Sequence, residues 1–174
     1  MINIVIPMAG AGSRFAKAGY KNPKPFIDVL GKPMICHVLD NLNIPDAKFI
    51  LLTRFEHYNN EQETVKWIKS NYKVEFVMID KLTEGAACTV LHAHRLINND
   101  TPLLIANSDQ IVDMDISEYI NDSKKRGLDG SVLCFEDNDK KWSYAKLDKN
   151  RFITEIREKE VISKNATVGI YYFN

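Results

Sequence analysis

The chain has 174 residues, and its 23 lysines and arginines cancel its 23 aspartates and glutamates. That length suits one domain with a sizeable core, and 45% hydrophobic with 26% charged residues is ordinary for a soluble globular protein. Charge balance argues against a nucleic-acid partner held by bulk basicity, no apolar run approaches the roughly 20 residues of a membrane span, and residues 1–7 lack the basic flank and long apolar run of a signal peptide.

Residues 2–7 open the chain with an apolar run. Ile4, Val5 and Ile6 are apolar at successive positions, as are Phe49, Ile50, Leu51 and Leu52, and again Leu103, Leu104 and Ile105. A strand with one wet face would alternate, so the runs 2–7, 49–53 and 102–106 predict strands buried on both faces. Runs at 74–79 and 131–135 predict two more. Pro33 suits the first position of a helix, where its missing N–H is no loss. Behind it Ile35, Val38, Leu39 and Leu42 fall at i, i+3, i+4 and i+7. A second helix lies within 60–71, with Val65 and Ile68 inward. A third runs from 86 to 97 with Ala87, Val90, Leu91 and Ile97 as its stripe. A fourth starts at Asp115, which reads with Glu118 as a capping pair, and ends at Gly127.

Strand alternating with helix predicts βαβ units and a three-layer α/β fold around a mostly parallel sheet. Past Trp142 the pattern changes. Residues 144–147 and 152–156 flank Asp148-Lys149-Asn150 as a hairpin, and 166–173 form a further strand. Cys36, Cys88 and Cys134 are odd in number and form no CxxC pair, which predicts reduced thiols and a cytoplasmic location. His92 and His94 are two apart on a helix and point in different directions, so they suggest no metal site; His94 is expected at the edge of the apolar stripe. Trp67 and Trp142 read as core or interface residues.

After the first strand comes Pro7-Met8-Ala9-Gly10-Ala11-Gly12-Ser13-Arg14-Phe15. Glycines here let the backbone approach a ligand and aim several N–H groups at one anion. The Gly-Lys-Ser/Thr ending of a P-loop is absent. A dinucleotide loop needs a third small residue as it opens a helix, where Phe15 stands, and an acidic residue after the second strand, where Thr53-Arg54 stand. An 18-residue stretch, 15–32, then carries no helix or strand signal. Residues 8–32 hold Arg14, Lys17, Lys21, Lys24 and Lys32 against Asp28 alone. A long irregular loop inside a domain is usually functional, and one so basic predicts an anionic ligand. In Asn22-Pro23-Lys24-Pro25 two prolines fix the backbone around Lys24, which presents its ammonium with little ordering cost. The plain alternative is an exposed turn with a solvated lysine; the neighbouring glycine loop and four further cations favour the anion.

Residues 7–15 together with Gly19-Tyr20, Pro23-Lys24-Pro25 and Gly31-Lys32-Pro33-Met34-Ile35 resemble the N-terminal signature of the sugar-phosphate nucleotidyltransferases. The resemblance implies a Rossmann-like nucleotide-diphospho-sugar transferase fold and a reaction that joins a nucleoside triphosphate to a small phosphomonoester, releasing pyrophosphate. Pro7-Met8, where the family usually has Leu-Ala, resembles a bacterial capsule or surface-polysaccharide subgroup. By the same resemblance Ala9, Gly10, Ala11, Gly12, Ser13, Arg14 and Lys24 bind the nucleotide, and Arg14, Lys24 and Asp109 are catalytic.

Asp109 stands in Asn107-Ser108-Asp109-Gln110, at the end of the strand 102–106. A carboxylate at the carboxyl end of a central strand lies where α/β sheets bind ligands. The resemblance assigns it to Mg²⁺, with Asn107 and Ser108 beside the nucleotide; Mg²⁺ takes carboxylate oxygens plus substrate phosphates. Asp113-Met114-Asp115 is a second acidic pair, of the kind that binds metal–nucleotide in glycosyltransferases of related fold, but Asp115 is expected to cap a helix. Glu84 and Gly85, before the third helix, are implied contacts to the base, with ordinary helix-start chemistry as the alternative.

Tyr144, Glu158, Lys159 and Gly169 fall in segments resembling the acceptor-binding motifs, with Glu158 on the acceptor group and Lys159 on its phosphate. Glu160 replaces the family's proline there. The family's second metal-binding aspartate would fall beyond Asn174. The expectation is therefore a C-terminally truncated domain, with 1–135 as nucleotide-binding core and 136–174 as the start of the acceptor part. Triphosphate and phosphomonoester are the expected partners, without nucleic acid or membrane; the base, the acceptor and a homo-oligomer are left open. The competing functions are an NADP-dependent oxidoreductase using Arg54 for the 2′-phosphate, which requires the glycine loop to enter a helix at once, and a nucleotide-sensing module without chemistry.

Overall fold

The computed structural model describes residues 1–174. The chain order begins β1 (Ile2–Pro7), α1 (Ser13–Lys17), the short strands β2 (Asp28–Val29) and β3 (Lys32–Pro33), and α2 (Met34–Asn41). It continues with β4 (Ala47–Arg54), α3 (Phe55–Asn60), α4 (Gln62–Asn71), β5 (Val74–Ile79), α5 (Ala86–Leu91), α6 (His94–Ile97) and β6 (Leu103–Ala106). Then follow α7 (Ile116–Lys125), β7 (Gly130–Glu136), β8 (Ser143–Leu147), β9 (Ile153–Glu158) and β10 (Asn165–Phe173).

One sheet runs β5-β4-β1-β6-β10-β8-β9, with β7 also paired to β10. Its first four strands are parallel to one another. Successive side chains of a strand point to opposite faces, and here both faces are covered. Ile4, Ile6, Phe49, Leu51 and Leu104 pack with Ile35, Val38 and Leu39 of α2, Val65 and Ile68 of α4 and Ile116 and Ile120 of α7. Val5, Ile50 and Leu52 pack on the other side with Val90 and Ala93 around α5. This is the three-layer arrangement that the unalternating apolar runs require. Burial at roughly 25 cal/mol per Å² of apolar surface makes these central strands the rigid frame of the site.

The run 131–135 departs from the βαβ expectation. As β7 it lies antiparallel to β10, as does β6, and β8–β9 add an antiparallel hairpin. The turn of that hairpin is closed by Asp148, whose Oδ1 accepts from the backbone of Asn150 and Phe152 at 2.9 Å. The helix at 116–125 ends as expected. Gly127 has φ +62 and donates to Lys124 O, while Leu128 donates to Ser123 O, a Schellman closure. Its start is a simple N-cap instead of the expected capping box: Asp115 Oδ1 accepts from Ser117 N at 2.9 Å, with no side-chain bond from Glu118.

Two expectations are corrected. The helix of 86–97 is two pieces, α5 and α6, and its stripe is rotated: Leu91 is 66% exposed and Ala87 is exposed, while Thr89 turns inward beside Val90 and Ala93. Thr89 tolerates burial because its hydroxyl bonds Gly85 O at 3.1 Å and Thr83 Oγ1 at 2.5 Å. His94 belongs to the exposed side, its Nδ1 against Leu91 O. The stretch 15–32 is also more ordered than its composition suggests. It holds most of α1, a 3₁₀ turn over Lys24–Phe26 and a two-residue ladder between β2 and β3.

Candidate active site

The connection from β1 goes to β4 on one side, whereas β5 returns across the sheet to β6 on the other side of β1. The carboxyl ends of β1 and β6 therefore flank the point where strand order reverses, the place where α/β sheets leave a crevice. A cleft of about 420 Å³ opens there, bordered by Gly10, Gly12, Ser13 and Arg14 from the loop after β1, Lys24, and Ser108 and Asp109 from the loop after β6.

Local sequence explains each placement. Gly12 has φ +59, a left-handed conformation that the turn into α1 requires. Pro23 (φ −55, ψ 141) sets the 3₁₀ turn, and Pro25, Phe26 and Ile27 are buried, so Lys24 stands on an anchored segment. The Lys24 ammonium pairs with the Asp109 carboxylate across the cleft and lies 5.5 Å from the Phe15 ring centroid. Phe15 is itself braced edge-on by Tyr20, centroids 5.6 Å apart. The other cations of the loop do not all converge. Lys32 pairs with Asp40, and Lys17 and Lys21 are exposed away from the cleft lining. The glycine loop enters a helix at once, as the dinucleotide reading requires, but Phe15 still stands where that loop needs a small residue. Arg54, the residue offered to a 2′-phosphate, is instead paired with Glu56 at 2.6 Å.

A family model described as nucleotidyl transferase matches residues 4–174. The chain belongs to the nucleotidyl transferase family. Among its relatives, the bifunctional protein GlmU of Methanococcus vannielii is 31% identical over 127 residues, covering 73% of this chain and 29% of that protein. A mannose-1-phosphate guanyltransferase of Yarrowia lipolytica is 27% identical over 98% of this chain and 48% of its own length. The chain thus spans less than half the length of these curated relatives. Among solved structures, a nucleoside-diphosphate-sugar pyrophosphorylase from Vibrio cholerae superimposes with a TM-score of 0.76 at 26% identity, covering 98% of this chain and 72% of that one. A Bacillus anthracis protein described as a glucose-1-phosphate thymidylyltransferase gives 0.80 at 25% identity, covering 100% and 72%.

In this nucleotidyl transferase chain the remaining candidate residues divide. Ala9 is buried among the core residues under α5, Ala11 is exposed at the rim, and Glu84 and Gly85 lie exposed at the start of α5, at the same carboxyl edge of the sheet. Asn107 sits under the Asp109 loop, its Nδ2 donating to Gln110 Oε1 at 2.5 Å. Gly169 abuts that pair. Its φ is +87, and a Cβ there would overlap the Asn107 carboxamide and come within 2.8 Å of Gln110 Oε1. It marks the point along one edge of β10 where pairing passes from β6 to β8.

The acceptor expectation for Tyr144 does not carry over to its side chain. Tyr144 is fully buried and donates its hydroxyl to Asp139 O at 2.8 Å, so it is a core residue with its polar atom satisfied. Glu158 and Lys159 form an exposed pair, 3.2 Å apart, at the end of the edge strand β9 and outside the cleft lining. Trp142 is half-buried and donates to Asp137 Oδ2 at 2.9 Å, edge-on to Phe135, whereas Trp67 is 43% exposed. No group of three or more His, Cys, Asp or Glu could hold a metal ion, and no helix is long and apolar enough to cross a membrane. Two contributors escaped the sequence reading. Phe15 was legible only as a misfit to a dinucleotide loop. Asn41 had no signal at all, because its partner, Val112, is 71 residues away.

Proposed function

We propose that this chain is the nucleotide-binding and catalytic part of an enzyme that transfers a nucleotidyl group from a nucleoside triphosphate to a sugar 1-phosphate or similar small phosphomonoester. The observation that carries the reading is the meeting of Lys24 and Asp109, with Arg14, in one cleft at the strand-order switch point. Names of relatives such as mannose-1-phosphate guanyltransferase and nucleoside-diphosphate-sugar pyrophosphorylase support a sugar phosphate as acceptor.

In the proposed reaction an oxygen of the acceptor phosphate attacks the α-phosphorus and pyrophosphate leaves. The acceptor is already an anion, so no side-chain nucleophile is needed, and catalysis is positioning plus charge neutralisation. The N–H groups of the loop 9–13 receive phosphate oxygens. Arg14 clamps the β- and γ-phosphates, and Lys24 sits between the α-phosphate and the acceptor phosphate. In the free chain Lys24 is held by Asp109 and exchanges that partner for phosphate.

Asp109 contributes the one carboxylate among the residues bordering the cleft. A single carboxylate with no supporting cluster suits an ion that brings its other ligands with it as phosphate oxygens and water, which describes Mg²⁺ on a triphosphate. Asp109 would hold that ion, which when bound supplies neutralisation of the charge building on the departing pyrophosphate. Residues 136–174 begin the acceptor-binding part, with Glu158 and Lys159 as its charged contacts. A cytoplasmic setting with free triphosphates, and supply of precursors for surface polysaccharide, fit this reading.

A pyrophosphate-release screen of the full-length protein tests it, with CTP, UTP, dTTP and GTP against a panel of sugar 1-phosphates and phosphocholine. Release that requires both substrates supports the proposal. Absence of release with every pair, with binding of a triphosphate intact, sinks the catalytic reading in favour of a nucleotide sensor.

A further inference from the structure

The loop that carries Asp109 leaves β6 at Asn107 and reaches α7 at Ile116 with no regular structure of its own. A carboxylate on such a loop is useful only if the loop is held, because misplacement by about 1 Å can cost roughly a hundredfold in rate. Side-chain amides hold it at two places. At the near end, Asn107 Nδ2 donates to Gln110 Oε1 at 2.5 Å, closing the backbone turn 107–110 that carries Asp109, and Gly169 leaves the space that this pair fills. At the far end, Asn41, the last residue of α2, makes both bonds of a peptide-like pair with Val112. Its Nδ2 donates to Val112 O at 2.8 Å, and its Oδ1 accepts from Val112 N at 2.9 Å. Asn41 is half-buried and stands on a helix whose Ile35, Val38 and Leu39 are locked into the core. The loop is therefore tied to the rigid frame.

We infer that Asn41 and Gln110 are positioning residues that fix the Asp109 carboxylate for the metal-bound triphosphate. The inference rests on the nucleotidyltransferase reading above. Neither side chain borders the cleft, so neither touches substrate. Loss of either bond set leaves Asp109 chemically intact but free to move, and the effect falls on metal-assisted binding rather than on the phosphate contacts of Arg14 and Lys24.

Calorimetric titration with CTP, UTP, dTTP and GTP, each with and without Mg²⁺ and without acceptor, gives the gain in affinity that Mg²⁺ confers. In Asn41→Ala and Gln110→Ala that gain falls about tenfold or more, within the roughly hundredfold expected of small misplacement, while metal-free binding is unchanged. Asn41→Asp lies between, since its carboxylate still accepts from Val112 N but returns no hydrogen to Val112 O. Ser123→Ala is the control. It breaks buried bonds to Tyr119 O and Ser131 Oγ and should lower stability without touching the Mg²⁺ gain. An unchanged Mg²⁺ gain in folded Asn41→Ala, or an equal loss in Ser123→Ala, overturns the inference. If Asn41→Ala does not fold, Gln110→Ala and Asn41→Asp decide by the same readout. Wild-type protein that binds no triphosphate under any condition overturns the nucleotidyltransferase reading itself, and this inference with it.

Discussion

The two halves of the candidate site differ in how they are supported. On the proposed nucleotide side, Arg14 follows the glycine loop from β1 and Asp109 follows β6, strands buried on both faces, while Lys24 stands on a 3₁₀ turn anchored by buried Pro25, Phe26 and Ile27. On the proposed acceptor side, outside the cleft lining, Glu158 and Lys159 end an edge strand that leaves Ile153 and Ile156 40% and 48% exposed. The first region is a charged cleft with a frame behind it; the second is a hairpin with one neighbour. A reacting centre needs fixed donors at the point where charge develops, and only the first region has the packing to fix them.

That contrast can be tested by removing one group from each region. Lys24→Ala removes a cation assigned to the transition state. By analogy with an oxyanion-hole donor this costs about 2.7–4 kcal/mol, and turnover of the full-length enzyme in a steady-state pyrophosphate assay should drop at least a hundredfold. A loss under tenfold in folded protein would remove Lys24 from the mechanism. In the 136–174 region, Tyr144→Phe deletes only the hydroxyl that reaches Asp139 O. It should cost about 1 kcal/mol of stability, seen as a melting shift of roughly 2–4 °C for a chain of this size. KM for the acceptor should be unchanged. A raised acceptor KM with an unaltered melting point would restore Tyr144 to the acceptor site.

The smallest effect lies outside both regions. Burial lowers the His57 pKa from its ordinary 6.5, with the neighbouring Arg54 charge pushing the same way and Glu56 opposing. Its Nδ1 is buried without a partner. The unfolded chain therefore binds this proton more readily than the folded one. Stability is full above 6.5 and declines as pH falls through that value toward the lowered folded pKa. Urea melts at pH 7.5 and 5.5 should show a smaller acid loss in His57→Gln than in wild type. An identical acid loss in the two proteins would mean that His57 titrates normally.

The layered α/β core was readable because fully buried parallel strands leave short runs of apolar, β-branched residues at successive positions, as in Ile4, Val5 and Ile6, too short for a buried helix. Asp115 and Gly127 were readable because caps depend on neighbours a few residues away. Reading failed where a distant partner decided the outcome. Thr89 displaced Leu91 from the inward face of α5 because Gly85 and Thr83 satisfy its hydroxyl once the segment docks on β1. Lys32 is lost to the cleft because Asp40 claims it.

By itself the sequence determined which chemistry was on offer. It supplied a glycine loop, a lysine stiffened by two prolines and an aspartate after a buried strand, each a consequence of local backbone geometry. Only the tertiary structure decided that these meet. The strand order places β1 and β6 side by side and reverses direction between them, bringing residues 85 positions apart into one ion pair. It also decided what holds them there, since the hydrogen bonds between Asn41 and Val112 link two segments that share no local pattern and form only when α2 packs on the sheet.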